Sequence, residues 1–398
     1  MIKNKFNWIS KDLIGFSLTS LFNDFSHEMT TSLLPALVDH IAGPSTGPIA
    51  LGFITGFADA ASTFMKLACG WLSNRITYFK PILIIGYAIT PIFVSLIGTA
   101  QFIWQILLYQ TIAWMGRGLR EPIRDTWLAN ISSSAYFGRI FGIERAFDTI
   151  GAIAGPTLAF FTLQFFALPT NFYISFIPGF ISILCISFLT SNYRHKTTVS
   201  KYDWKAQIQL LPHNFKYFLA IMFIFGISNF NKTFFIYRAQ EAFGHNHSFV
   251  LATSWAILLY ILLNCMRAIA EVGIGFLSDY INRRILLAVF GFALFSLVNI
   301  ILLVASTNIF LWILIFICAG FSLGTVTSLE KSYAAQLLPE KDRGTGFGLL
   351  QCVDGIGDLL SSVVVGGLWT YISPEISFIY AAITSGIAAL FFIIKIRD

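Results

Sequence analysis

The chain has 398 residues, of which 56% are hydrophobic and only 12% charged, and its formal net charge is +6. A soluble chain has about a quarter of its residues charged; with a mean hydropathy of +0.73 this one cannot cover a globule with polar groups and takes lipid as part of its solvent. The basic balance does not mark a nucleic-acid binder, which needs a basic face on a soluble module, so no nucleic-acid partner is expected.

A helix of about 20 residues spans the hydrocarbon core. Twelve apolar runs reach that length, near 12–37, 48–73, 80–99, 103–132, 140–165, 171–191, 216–238, 248–278, 284–304, 308–337, 344–367 and 373–394. Several exceed the minimum, as tilted or bent helices do. Lys3, Lys5 and Lys11 precede the first run, and Arg75 and Lys80 join runs two and three. Arg139 joins four and five, and Arg194, Lys196, Lys201 and Lys205 lie between six and seven. Arg283 and Arg284 follow run eight, Lys341 and Arg343 follow run ten, and Lys395 and Arg397 end the chain. The opposite loops are nearly free of Lys and Arg, with Arg238 the main exception. By the positive-inside rule both termini are cytoplasmic, in an inner (plasma) membrane. The first run is long and lacks a small-residue cleavage site, so no cleavable signal peptide is expected. Cys69, Cys185, Cys265, Cys318 and Cys352 all sit in apolar segments. They are expected to pack as small core residues, with neither a disulfide framework nor a CxxC metal site.

The longest polar insert divides the chain into residues 1–191, a cytoplasmic linker at 192–215 and residues 216–398, with six runs on either side. A shift of 206 lays Arg124-Asp125 on Glu330-Lys331, Gly138 on Gly344, Phe141-Gly142 on Phe347-Gly348, Asp148 on Asp354 and Gly151 on Gly357. A shift of 205 lays Gly70-Trp-Leu-Ser73 on Gly275-Phe-Leu-Ser278, and Lys66 on Glu271. Two matches at nearly one offset read as a duplicated six-helix unit. Arg124 against Glu330, and Lys66 against Glu271, invert the sign of charge. Scaffold has little reason to do so, whereas a site between pseudo-symmetric halves needs unlike walls for a solute with one charged end.

Nine ionisable side chains crowd between Trp114 and Pro156: Arg117, Arg120, Glu121, Arg124, Asp125, Arg139, Glu144, Arg145 and Asp148. Charge in an apolar helix is costly and persists where it faces a partner or a wet cavity. Arg117, Glu121 and Arg124 share a face of run four, and Arg120 and Arg124 are one turn apart. They form either a cationic wall, since a guanidinium grips carboxylate or phosphate bidentately, or a set neutralised by Glu121 and Asp125. On run one, Asp24, His27 and Glu28 put two acids and an imidazole within one turn, where repulsion and desolvation favour proton uptake. The alternatives are a structural network with Lys66 or the run-four arginines, and a metal site; a lone D-x-x-H-E turn without a second ligand group is weak support for metal.

Run two offers Asp59 and Lys66. On run five, Arg145 and Asp148 read as an internal ion pair. The second half answers with Asn229, Asn231 and Lys232, with Arg267 and Glu271 as a pair, with Glu330 and Lys331, and with Asp354 and Asp358. His245-x-His247 reads as a solvated loop. No P-loop, G-x-S-x-G elbow or H-E-x-x-H occurs, so ATP-driven transport, hydrolytic enzyme chemistry, a cofactor and a resident metal are not expected.

Twelve spans, a 6+6 repeat, a long central loop and a short motif between runs two and three resemble the major facilitator superfamily, whose loop signature is G-x-L-[AS]-D-R-x-G-R-[RK]. This chain has Gly70-Trp-Leu-Ser-Asn74-Arg75, with Asn for the acid and no later Gly-Arg pair; the second copy, Gly275-Phe-Leu-Ser-Asp279, keeps the acid but continues with Tyr280. The resemblance implies that this acid locks helix ends in one alternating state, so Asp279 is expected to carry more of the lock than Asn74. Gly151-x-x-x-Gly155-Pro156 is similar to the family's G-x-x-x-G-P motif, commoner in exchangers than importers. Its small residues permit close helix approach, and Pro bends a helix where neighbours satisfy the freed carbonyl. Gly116-Arg-Gly-Leu-Arg120 with Pro122 and Arg124-Asp125 resembles a bacterial branch bearing G-[KR]-G-[IL]-R-x-P-x-R-D.

The sequence thus predicts an all-α membrane protein of twelve transmembrane helices in two pseudo-symmetric six-helix bundles. It is expected to move a small polar, anionic organic solute, such as a polycarboxylate or a metal chelator, by proton-coupled alternating access. Arg117, Arg120, Arg124, Asn229, Lys232, Arg267 and Glu330 are the expected solute contacts, and Asp24, His27, Glu28, Asp59 and Asp148 the proton-coupling groups. Gly70, Asn74, Arg75, Gly151, Gly155, Pro156, Gly275 and Asp279 are the expected conformational motifs. Proton-driven drug efflux is the alternative, favoured by the run-five motif and 41 Phe; a membrane sensor without turnover is the second. A monomer is expected, because one chain of this family holds a complete pathway.

Overall fold

The computed structural model describes residues 10–73, 77–130, 137–192, 211–281, 284–305, 308–339 and 343–397. Among these there is no strand, and the chain forms helices α1 (Lys11–Ala42), α2 (Gly47–Ser73), α3 (Lys80–Leu96), α4 (Ile103–Asn130), α5 (Phe137–Thr162), α6 (Leu168–Ile174) and α7 (Phe176–Leu189). After the linker come α8 (His213–Gly226), α9 (Thr233–Gly244), α10 (Phe249–Ile281), α11 (Arg284–Leu303), α12 (Ile309–Leu337), α13 (Arg343–Tyr371) and α14 (Pro374–Arg397). Among the described residues, eight spans are long and apolar enough to cross a membrane: α2, α3 with the turn after it, α6 with α7, and each of α10 to α14. Helices α1, α4 and α5 have 32, 28 and 26 residues, ample length at 1.5 Å per residue, and differ in bearing the charged turns.

The run expected over 216–238 is not one helix. It is interrupted at 227–232, between α8 and α9. Asn and Ser side chains compete with the helical backbone, and Asn231 Oδ1 accepts from the Thr233 N–H (3.1 Å) and hydroxyl (2.9 Å) to start α9. Freed backbone groups inside lipid need other partners. Tyr380 donates to the Ile227 carbonyl at 2.9 Å, Ser361 donates to that of Asn229 at 3.2 Å, and the Asn231 N–H reaches Ser362 Oγ at 3.4 Å. The break is therefore built, with its partners supplied by α13 and α14.

The chain forms two compact units, Met1–Leu37 with Ala61–Ser200, and Val38–Ala60 with Lys201–Asp398. In the first, Phe16, Tyr87 and Trp127 are fully buried, with Phe16 and Trp127 edge to face at 5.1 Å. Helices approach through glycines: a Cβ at Gly118 would lie 2.3 Å from the Ser62 carbonyl oxygen, and one at Gly86 3.1 Å from that of Gly116. In the second unit, stacked Phe225 and Phe292 (4.1 Å) head an aromatic core. The aligned residues make the same crossings there. Gly324 meets the Arg267 carbonyl, and the Ser322 hydroxyl donates to the Gly291 carbonyl at 2.7 Å.

The first turns of α2 pack on α13 within the second unit. A Cβ at Gly52 would lie 2.3 Å from the Ser362 carbonyl oxygen, one at Gly366 2.5 Å from that of Pro48, and the Ile49 N–H donates to Thr370 Oγ1 at 3.1 Å. Gly52→Val must push two backbones apart, so a loss of about 1–3 kcal/mol is expected, read as a lower thermal midpoint in detergent. Gly273→Val, in open space, should leave the midpoint unchanged. Equal midpoints for both variants would contradict the tight crossing.

Candidate functional site

In the first unit, α5 lies directly on α1. A Cβ at Gly151 would sit 2.3 Å from the Leu21 carbonyl oxygen, and one at Gly155 2.5 Å from that of Phe25. One turn before Gly151, the carboxyls of Asp148 and Asp24 lie beside each other, within reach of a hydrogen bond. Two ionised carboxylates have only acceptors, so a hydrogen bond between such groups needs a proton on one of them. Asp24 is 5% exposed. Arg145 holds Asp148 from the same helix at 2.9 Å. Arg117 and Arg124 on α4 act on Asp148, Arg117 also acts on Asp24, and Glu28 and Glu144 add negative charge nearby. His27 Nδ1 is 3.8 Å from the Glu28 carboxylate, beyond hydrogen-bond reach, and its ring meets Trp114 edge-on at 4.6 Å. The spacing along α1 suggested an Asp24–Glu28–His27 turn acting by itself; the partner that defines Asp24 comes instead from α5.

The three arginines of α4 have different surroundings. Arg117 and Lys66 share Glu121, each at 2.7 Å, with side chains 27%, 26% and 21% exposed. Arg124 reaches Glu144 at 2.7 Å and Asp125 at 2.9 Å, and Ser20 donates to Glu144 at 2.5 Å. Arg120 is 3% exposed, donates to Thr90 at 2.7 Å and lies 4.6 Å over the Tyr87 ring of α3. The acids that take Lys66 and Arg124 are Glu121 and Glu144, not those of α1.

In the second unit, a cavity of about 190 Å³ opens beside the break between α8 and α9, lined by Asn229, Thr327, Glu330, Asp354 and Asp358 over the apolar Phe225. Asn229 Oδ1 is buried there without a hydrogen-bond partner. Asn229 and Glu330 were expected at a solute site. Asp354 and Asp358 were not singled out for it, although the repeat laid Asp354 on Asp148. Of the other expected contacts, Lys232 sits 5.0 Å over the Tyr260 ring and Arg267 pairs with Glu271 at 2.9 Å. Asp59 accepts from Asn231 Nδ2 at 2.9 Å, beside the break. Arg238, the exception to the loop charge pattern, is held by Glu241 (2.7 Å) and Glu375 (3.6 Å). Gly70 lies in the last helical residues of α2, and Gly275 in α10 has Ser328 Oγ 3.4 Å from its Cβ position. Pro156 continues α5 after Gly155. Asn74, Arg75 and the side chain of Asp279 lie outside the described residues.

The family model of the Major Facilitator Superfamily matches residues 16–254 and 217–398. The chain belongs to the major facilitator superfamily. It is therefore a multi-pass membrane protein of a transporter family. This superfamily member is 31% identical over 390 residues to an uncharacterised MFS-type transporter of Methanocaldococcus jannaschii, covering 96% of this chain and 95% of that one. Over 150 residues it is 31% identical to the class H tetracycline resistance protein of Pasteurella multocida, 37% of this chain and 36% of that protein. A variant of the nucleoside transporter NupG shares the fold, with a TM-score of 0.78 over 96% of this chain and 99% of that one at 15% identity.

Proposed function

We propose that this superfamily member is a proton-coupled secondary transporter of a small polar organic solute, working by alternating access. The observation that carries the coupling is the buried Asp24–Asp148 carboxyl pair. Such a pair holds one proton while closed; drawn apart, each carboxylate can ionise against its own arginine neighbour and the proton leaves. A coupled carrier needs a group of this kind.

The same proposal takes twelve spans in two halves, 1–191 and 216–398, joined by 192–215. The eight apolar spans are completed by α1, α4, α5 and the broken pair α8–α9. Both termini face the cytoplasm at the inner membrane, and the ion pairs of Arg238 discount its charge as an orientation signal. Lys3→Cys and Arg397→Cys should then resist an impermeant thiol reagent in intact cells; labelling of either would rule out this topology.

For the solute, Asn229 Oδ1, Glu330, Asp354 and Asp358 around one cavity support a group rich in donors, such as a basic nitrogen. The likeness to a tetracycline resistance protein over 37% of this chain supports a drug-like compound of that kind as a candidate solute. An anionic solute is the second reading, favoured by the partly exposed Lys66–Arg117 pair, two cations sharing one carboxylate. Proteoliposomes with an imposed pH gradient separate the two, using panels of labelled organic amines and carboxylates. Accumulation of amines that Glu330→Gln lowers at least about tenfold (a change of ~1.4 kcal/mol) is the expected result. Accumulation of carboxylates alone would reverse the assignment, and no accumulation from either panel would count against the carrier.

A further inference from the structure

We propose that Gly151 and Gly155 are positioning residues for the coupled proton: by letting α5 lie on the α1 backbone they set the separation at which Asp148 and Asp24 share it. The inference rests on that pair being the proton carrier.

Packed helices ordinarily lie 8–10 Å apart at their axes, and side chains at the contact set the distance. Here the contact is backbone on backbone. A Cβ at Gly151 would meet the Leu21 carbonyl oxygen at 2.3 Å, and one at Gly155 would meet the Phe25 carbonyl oxygen at 2.5 Å and the Met29 nitrogen at 2.7 Å. Neither contact involves a flexible side chain that could swing away, so any side chain there displaces a helix. Asp148 is one turn from Gly151 on α5, and Asp24 lies between Leu21 and Phe25 on α1, so the carboxyl pair sits at the crossing itself. A hydrogen bond weakens steeply once its heavy atoms separate beyond about 3.5 Å. Displacing the helices therefore leaves Asp148 to Arg145, and Asp24 to Arg117, as separate ionised groups. Arg124, Glu28 and Glu144 also face the pair; of these Glu28 has its backbone at the crossing, 3.2 Å from a Cβ at Gly155.

The second unit shows what the crossing does by itself. Gly357, aligned with Gly151, meets the backbone of Gly226 on α8, with a Cβ at 2.8 Å from its Cα. At the offset that lays Leu21 on Gly226, the residue aligned with Asp24 is Asn229, and Asp354 lines the cavity with Glu330 and Asp358. Close packing at a glycine is common to both units; an acid on the helix it crosses belongs to the first, since residues 213–232 contain neither Asp nor Glu.

The test needs no solute. Infrared pH titration of the purified protein follows the protonated-carboxyl C=O band that Asp24→Asn and Asp148→Asn remove. In Gly151→Ala or Gly155→Ala the midpoint of this band should move by about one pH unit or more, a tenfold change in proton affinity. Gly142→Ala, on the same helix but with nothing among the described residues within 4 Å of its Cβ position, should leave it in place. Asp148→Glu alone, which changes reach at an unchanged crossing, should also move the midpoint. Combined with Gly151→Ala, the longer side chain should bring it part of the way back. A midpoint unmoved in whichever glycine variants fold, or unmoved in Asp148→Glu when neither folds, overturns the positioning role. Absence of any band sensitive to Asp24→Asn or Asp148→Asn in the parent protein would instead remove the proton pair and leave the packing role of the glycines intact.

Discussion

Asp24→Asn and Asp148→Asn should each lower the solute gradient sustained by a pH gradient at least about tenfold, the effect of ~1.4 kcal/mol of lost coupling, while counterflow persists. An Asn in either position still reaches its neighbour and can donate one hydrogen bond to it, so the helix crossing survives. It cannot take up or release a proton, so loading no longer depends on pH. Glu28→Gln should have the smaller effect, because Glu28 stands beside the pair without being a member of it. Reconstituted protein loaded with unlabelled solute and presented with a tracer measures counterflow; the same vesicles under an inward or outward pH gradient measure accumulation. If both Asn variants accumulate solute as the parent does, the proton travels elsewhere, and Asp59 beside the helix break becomes the next candidate.

Arg124→Ala should destabilise the protein more than it impairs solute recognition. Its guanidinium is 13% exposed and its partner Glu144 6%; removing one member of such a pair leaves a buried carboxylate uncompensated, at a cost of about 3–5 kcal/mol. The double variant Arg124→Leu with Glu144→Leu should recover most of that loss, since an apolar pair of similar volume avoids the desolvation. Arg117→Ala should cost less, because Glu121 keeps Lys66 at 2.7 Å. Glu330→Ala, at a cavity wall, should leave the thermal midpoint near that of the parent and depress transport. Thermal midpoints and initial transport rates measured on the same four variants distinguish these outcomes. An Arg124→Ala protein that melts normally and fails to transport would make Arg124 a solute contact after all.

Much of the fold was legible in the chain because its cause is local. Long apolar runs and the basic residues between them follow from what lipid and helix geometry demand of any stretch of this length, so they appear without knowledge of neighbours. Several pairs were legible for the same reason: Arg145 with Asp148 and Arg267 with Glu271 are one turn apart on one helix, and the structure keeps both. The interruption at 227–232 left a signal in Ser228, Asn229 and Asn231, poor helix formers in an otherwise apolar run. It gave way only because Ser361, Ser362 and Tyr380 on two distant helices take up the freed backbone groups.

The chemistry of the site depends on which helices touch, and spacing along one helix cannot supply that. Asp24 was matched in sequence with its neighbours His27 and Glu28, yet its partner is Asp148, more than a hundred residues away. Arg117, Arg120 and Arg124 looked like one wall, but Glu121, Tyr87 with Thr90, and Glu144 divide them. The sequence by itself determined the solvent, most of the helices and the choice of ionisable groups, because burial and periodicity act on each segment separately. The tertiary structure alone decided which charge meets which, because that depends on how closely α5 can lie on α1 and α4 on its neighbours, a distance set by backbone contacts at glycines on separate helices.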